Sequence, residues 1–137
     1  MGWGALIVAV DTNILLRAAV RDDPRQAQTA AHLLRSADRI AIPLVALCEF
    51  AWTMRKGYKR PAAEVATSIR SLVNSAKVLV DRSAVQAGLE VLEAGGDFAD
   101  GVIAHEGAWL GAEEFVSFDK QAVSLLKAQG KRARLLS

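Results

Sequence analysis

The chain is poor in the residues that make crosslinks, soft-metal cages and membrane spans: its 137 residues include one cysteine, two histidines and three prolines. A lone thiol excludes a disulfide framework and fits a reducing interior, and Cys48, set in an apolar helical pattern, is expected to be core packing. His32 and His105 are far apart and have no cysteine partner at zinc-ligand spacing, so neither ring is given a role. The apolar run "ALIVAV" at residues 5–10 is too short to cross a bilayer, has no basic stretch before it and ends on Asp11. Neither a spanning helix nor a secretory signal is expected, and the cytoplasm is the expected compartment. Charge of one sign is not in surplus either, with 17 basic against 15 acidic residues. Gathering four of the acids in one site would nevertheless leave the remaining surface basic, and a basic rim around an acidic hole suits a polyanionic substrate. Linker-like, repetitive and low-complexity stretches are absent, so residues 1–137 are read as one domain of ordinary globular composition.

What is present is an alternation. Short β-like runs at 5–10, 39–43 ("RIAIP"), 77–80 ("KVLV"), 114–118 ("EFVSF") and 133–137 ("ARLLS") are separated by helical patterns at 24–37, 44–57, 61–76, 83–96, 97–112 and 120–130. Pro24 and Pro61 stand in first turns, and Gly57 and Gly130 at helix ends. Strands alternating with helices of roughly ten or more residues predict βαβ units, hence an α/β fold with a parallel sheet covered by helices on both faces. Two helical segments in succession, 44–57 and 61–76, predict an αα-hairpin beside the sheet. Ligands of such sheets bind beyond the carboxyl ends of the strands where strand order reverses, and Asp11 stands at such an end.

Each acid has an ordinary explanation beside a functional one. Asp11, followed by Thr12 and Asn13, reads as a turn and N-cap for a short helix starting at Ile14, or as a site residue. Glu49 has Val45 at i−4 and Trp52 at i+3, which predicts partial burial. A buried glutamate pairs, protonates or binds a metal; the ordinary account here is an ion pair with Arg55 or Lys56 at the helix end, or an edge position that reaches solvent. Asp97 and Asp100, at i and i+3 in "DFADGVIAH", fall on one helix face. Capping accounts for Asp97 better than for Asp100, which shares its face with Ile103 and Ala104 and so points inward. Gly101 costs about 1 kcal/mol relative to alanine in a helix interior, and a close backbone approach is the expected compensation. Asp119 closes "FVSFD" and either caps the next helix or joins the site. Ser117, two residues back on the same side of the strand, is placed to orient a water or a carboxylate.

Together, Asp11, Glu49, Asp100 and Asp119 are expected at one sheet edge. Like charges about 4 Å apart repel by around 4 kcal/mol at an effective dielectric near 20, so a cation is expected between them. Oxygen-only donors select Mg²⁺ or Mn²⁺, and a partly hydrated ion of that kind on phosphate oxygens is the apparatus of phosphodiester hydrolysis. "MRKGYKR" adds Arg55, Lys56, Lys59 and Arg60 around Tyr58 as a candidate RNA contact. Cations closing a helix before Gly57 also complement its dipole, and that account is preferred. "KRAR" at 131–134 is a weaker candidate of the same kind.

"VDTNILL", "LCEFAW", "DFADGVIA" and "VSFDK", in that order, resemble the PIN-domain nucleases, and in particular the VapC-type toxins of bacterial toxin–antitoxin pairs. The likeness spans nearly the whole chain. It implies a PIN-like three-layer αβα sandwich on a central, mostly parallel five-stranded sheet. It also implies Asp11, Glu49, Asp100 and Asp119 as metal ligands, Asn13 and Ser117 in support, and Asp97 as an additional acid. Mg²⁺- or Mn²⁺-dependent endoribonuclease activity on RNA, a homodimer and inhibition by a small antitoxin follow from the same resemblance. Gly101 departs from the alanine more usual after the helical aspartate and leaves every ligand in place. In mechanism, Asp11 and Asp100 would hold the first metal, Glu49 would bind it directly or through water, and Asp119 would close the site or hold a weaker second ion. With no histidine placed to act, a carboxylate or the metal handles the proton. One rival class is a catalytically silent PIN-like module that binds RNA or a partner. Another is a phosphoacceptor signalling domain, which wants an adjacent acidic pair at the first strand and a lysine closing the last. "VAVDTN" and "ARLLS" supply neither, and Asp81 at the end of "VLVD" is its one support.

Overall fold

The structure, a computed structural model, describes residues 6–137. β1 (Ile7–Ala9) leads through α1 (Thr12–Ala19) and α2 (Pro24–Ser36) to β2 (Arg39–Ala41). Then α3 (Leu44–Trp52), a π-helical turn over Thr53–Gly57 and α4 (Ala62–Val73) lead to β3 (Val78–Leu79). Next, α5 (Arg82–Glu93) and α6 (Phe98–Trp109) lead to β4 (Phe115–Ser117), and α7 (Lys120–Ala128) leads to β5 (Ala133–Leu135). The predicted strands and helices are all found within a few residues of their expected limits. Ala5, placed by the sequence at the head of β1, lies outside the described residues.

One local device recurs. Asp11, Asp23, Asp81, Asp97 and Asp119 open α1, α2, α5, α6 and α7, each accepting a first-turn backbone N–H on its carboxylate. Pro43 and Pro61 precede α3 and α4 without a side-chain cap. The helix expected over 44–57 is present at that length, but its last turn widens. The Tyr58 N–H reaches back to the Thr53 carbonyl at 3.0 Å, and that of Arg60 to Met54 at 2.9 Å. Lys59 then takes a left-handed φ of 56° before Pro61, which has no N–H to continue the ladder.

The strands run parallel, as expected, but in two sheets: β1-β2-β3, with Val8 opposite Ile40 and Ile40 opposite Val78, and β4-β5, with Val116 opposite Arg134. This corrects the expectation of one five-stranded sheet. Strands of two or three residues make few ladder bonds, so helix packing rather than a continuous ladder joins the sheets. The main core gathers Leu15, Leu47, Phe50, Met54, Val65, Ile69 and Phe98. A smaller one under β4-β5 is built from Val91, Val123, Leu126 and Ala133. Helix α5 serves both, with Leu89 and Leu92 in the first and Val91 in the second.

The packing of α5 on α6 explains Gly101. A Cβ there would overlap the Ala87 carbonyl and stand 2.8 Å from the Gly88 Cα, both backbone atoms that cannot rotate away. The expected close approach is therefore present, and it sets the position of the N-terminal turn of α6. No helix among the described residues is long and apolar enough to cross a membrane.

Candidate active site

Three elements deliver acids to one neighbourhood. At the start of α6, Phe98 is fully buried and anchors the turn, so the residues on either side of it are held in place. Asp97, the N-cap, accepts the Ala99 N–H on Oδ1 at 3.2 Å. Asp100, one turn on, is half-buried. Its carboxyl is pushed above the ordinary carboxylate value, first by burial and then by the negative charges of Asp97 and Asp119. Among the described residues no ion pair and no side-chain hydrogen bond to Asp100 offsets that pressure.

Asp119 arrives from the other sheet. Its backbone N–H donates to the Ser117 Oγ at 2.9 Å, and its Oδ1 accepts the Ala122 N–H at 3.1 Å. Ser117 thus fixes the backbone at Asp119. Gln121, on the first turn of α7, donates from Nε2 to the Gly95 carbonyl at 3.0 Å and ties the two helix starts together. Gly95 has φ +100°, and a Cβ on Gly96 would strike Leu125 and Val91, so this tie depends on the glycine pair that precedes Asp97. Each cap engages one carboxylate oxygen. The other oxygen of Asp97 and of Asp119 is left for a ligand, since an ionised carboxylate offers about four lone-pair sites.

Glu49 is exposed, which corrects the expected partial burial. Its wheel neighbours Val45 and Trp52 are themselves 65% and 57% exposed, so the whole stripe faces outward, while Leu47, Phe50 and Ala51 carry the buried face of α3. Glu49 nevertheless reaches the acidic region. The Cys48 thiol is pushed up to about 11 by burial and then by the charges of Asp97, Glu106 and Glu49. Glu106, not anticipated from the sequence, therefore acts on the same thiol; its signal would have been its place six residues after Asp100 on α6.

Asp11 caps α1 through the Ile14 N–H at 3.1 Å and lines a depression of about 570 Å³ with Asn13, Arg17 and Arg25. Arg17 is ion-paired to Asp22 at 3.3 Å. As the side chains stand, no three His, Cys, Asp or Glu residues among those described are close enough to hold a metal ion. Asp97, Asp100 and Asp119 share one electrostatic field, and Glu49 acts with Asp97 on Cys48.

Of the candidate RNA contacts, Arg55 and Lys56 line a cavity of about 210 Å³ together with Trp52, Asp97 and Asp119. Tyr58 is not free to stack, because its ring packs on the main core and its hydroxyl donates to Asp22. Arg60 is paired with Glu64 at 2.6 Å, and Lys59 is exposed at the left-handed turn.

Comparison with protein-family models matches this chain to the PIN domain over residues 8–126. The chain belongs to the PIN domain family. That span takes in Asp11, Glu49, Asp97, Asp100 and Asp119 and ends before β5. No curated protein matches the sequence. PIN domains are generally metal-dependent nucleases of RNA or DNA, so this PIN domain has a nuclease-type fold. Its acids fit a hard divalent ion in donor chemistry: all are carboxylates, and Asp100 is partly desolvated among like charges with no ion pair among the described residues.

Proposed function

We propose that this PIN domain is a Mg²⁺- or Mn²⁺-dependent endoribonuclease, the toxin of a VapC-type toxin–antitoxin pair. The observation that carries the reading is Asp100. It is half-buried one turn after the capping Asp97, and burial, then the charges of Asp97 and Asp119, raise its pKa. No ion pair to it is found among the described residues, and it is not needed as a cap.

In this reading Asp100 and Asp11 are the principal ligands, Glu49 and Asp119 complete the set, and Asn13, Ser117 and Asp97 hold it in place. A bound divalent ion supplies charge stabilisation at the scissile phosphate and lowers the pKa of the attacking water. The chain's own carboxylates orient that water and take its proton as the phosphorus–oxygen bond breaks. A homodimer and inhibition by a small antitoxin are part of the proposal. They are supported by the resemblance and by exposed apolar side chains such as Trp109 and Leu110, of the kind that partners cover.

A catalytically silent PIN-like module that binds RNA or a partner is the second reading, favoured by the absence, among the described residues, of three acids close enough to hold a metal as their side chains stand. Incubation of the purified chain with structured RNAs, with EDTA, Mg²⁺ or Mn²⁺, separates the two. Metal-dependent cleavage that disappears in Asp100→Asn is the expected result. A chain that neither cuts RNA nor gains thermal stability from millimolar Mn²⁺ is the silent module.

A further inference from the structure

The cavity beside Asp97 and Asp119 has a composition that the metal site does not require. Trp52, on the last turn of α3, is 57% exposed, an unusual place for the largest apolar side chain when Phe50, Ala51 and Met54 around it are buried. Arg55 and Lys56 follow it in the π-helical turn and line the same cavity. Neither cation makes an ion pair with a described carboxylate, although Asp97 and Asp119 line the same cavity. Arg55 is steadied instead by donating from Nη1 to the Arg60 carbonyl at 3.0 Å. The cavity, of about 210 Å³, is below the roughly 300–1,000 Å³ of pockets that take whole cofactors or drug-sized ligands.

We infer that Trp52 is a stacking platform for one base of single-stranded RNA, with Lys56 and Arg55 holding the adjoining phosphate, so that the next phosphodiester lies over Asp97, Asp100 and Asp119. This rests on the endoribonuclease reading and adds to it the strand's point of attachment. An aromatic face beside cations is the sequence-tolerant way to grip a single strand, because every base has a π-face and every linkage a charge. The placement also gives the cations a task next to acids they do not pair with: they offset the repulsion a polyanion meets on entering an acidic groove. Tyr58, the ring expected from the sequence to stack, is occupied elsewhere, and Trp52 takes its place one helical turn and a half earlier.

The test uses the full chain carrying Asp100→Asn, so that RNA is bound without being cut, and fluorescein-labelled oligo-A and oligo-U of about twelve nucleotides. Trp52→Ala is expected to weaken binding about tenfold, with oligo-A losing more than oligo-U, and Trp52→Phe to keep most of the affinity. Lys56→Ala is expected to weaken both oligomers alike and to flatten the salt dependence. With Trp3 and Trp109 changed to phenylalanine, RNA should quench the remaining indole. Unchanged affinity in Trp52→Ala together with an unquenched indole overturns the platform. So does a Trp52→Ala chain whose only change is a halved solution mass, which would assign the indole to a contact between copies. RNA cleavage by the otherwise unaltered chain that survives Trp52→Ala at full rate removes the platform and leaves the nuclease reading. Quenching and Trp52-dependent binding without cleavage under either metal do the reverse.

Discussion

The starts of α5 and α6 use the same grammar to different ends. At α5, "DRSA", Asp81 caps the Ala84 N–H, and Arg82 gives its guanidinium to the carbonyls of Val73, Ser75 and Val78 at the close of α4 and beyond. Every charge in that corner meets a partner. At α6, "DFAD", Asp97 caps in the same way, but no arginine follows it, and the residue at the third position is a second acid rather than an alanine. Capping therefore explains the first aspartate of each turn and leaves Asp100 over. What marks a candidate site is charge in excess of structural need, not the presence of acids.

That contrast can be tested at several strengths. The largest effect is expected on activity. Asp100→Asn should lower RNA cleavage by at least the roughly 100-fold that losses around metal ligands reach, while Asp81→Asn leaves the rate of metal-dependent cleavage unchanged. Equal losses in the two variants, in initial rates on one RNA, would abolish the distinction. Next in size, Gly101→Ala forces a methyl into the α5 backbone and is expected to destabilise the chain by about 1–3 kcal/mol in urea unfolding. The same change on the exposed side of α6 would be neutral or favourable. Removing a cap costs about 1 kcal/mol, so Asp81→Ala should lose that much, whereas Asp97→Ala should lose less, because it also relieves the repulsion on Asp100.

A pH profile sharpens the comparison further. An acid whose pKa is raised by folding stabilises the chain fully only below its unfolded value, near 3.8 for Asp100, and that contribution is lost as pH rises through the raised value. Metal-free wild type should therefore lose stability relative to Asp100→Asn as pH rises above about 4. Millimolar Mn²⁺ should restore it, and a constant gap across that range would contradict the raised pKa. The smallest expected effect is at Cys48. With its thiol held near pH 11, alkylation by iodoacetamide should be slow at neutral pH and rise steadily into strong alkali, and Glu49→Gln should bring that rise slightly lower.

Local chemistry made most of the fold legible. Aspartates before helical patterns, Pro24 and Pro61 at helix starts and Gly130 after the last helix marked boundaries that the structure keeps. Gly101 even announced a close approach in advance. Two things did not follow. A helical wheel puts Val45, Glu49 and Trp52 on one stripe, but only tertiary packing decides whether that stripe faces in or out, and Leu47, Phe50 and Met54 took the inside. Likewise, the strands could be found from their apolar runs, yet whether β1 and β4 join one ladder depends on partners far along the chain. The acids show the same limit: Asp97, Asp100 and Asp119 are brought near one another by glycine turns and by Gln121, whereas the position of Asp11 rests on the end of a short strand.

Because α5 forms a wall of both cores, the two sheets are not independent blocks. Exchange of the β4 and β5 amides with deuterium should then be governed by the same global opening that frees β2, rather than by an early fraying of the C-terminal strands. A substitution that loosens α5 would let solvent into both hydrophobic interiors at once, and Asp119 would drift away from Asp100 well before the chain lost its helices.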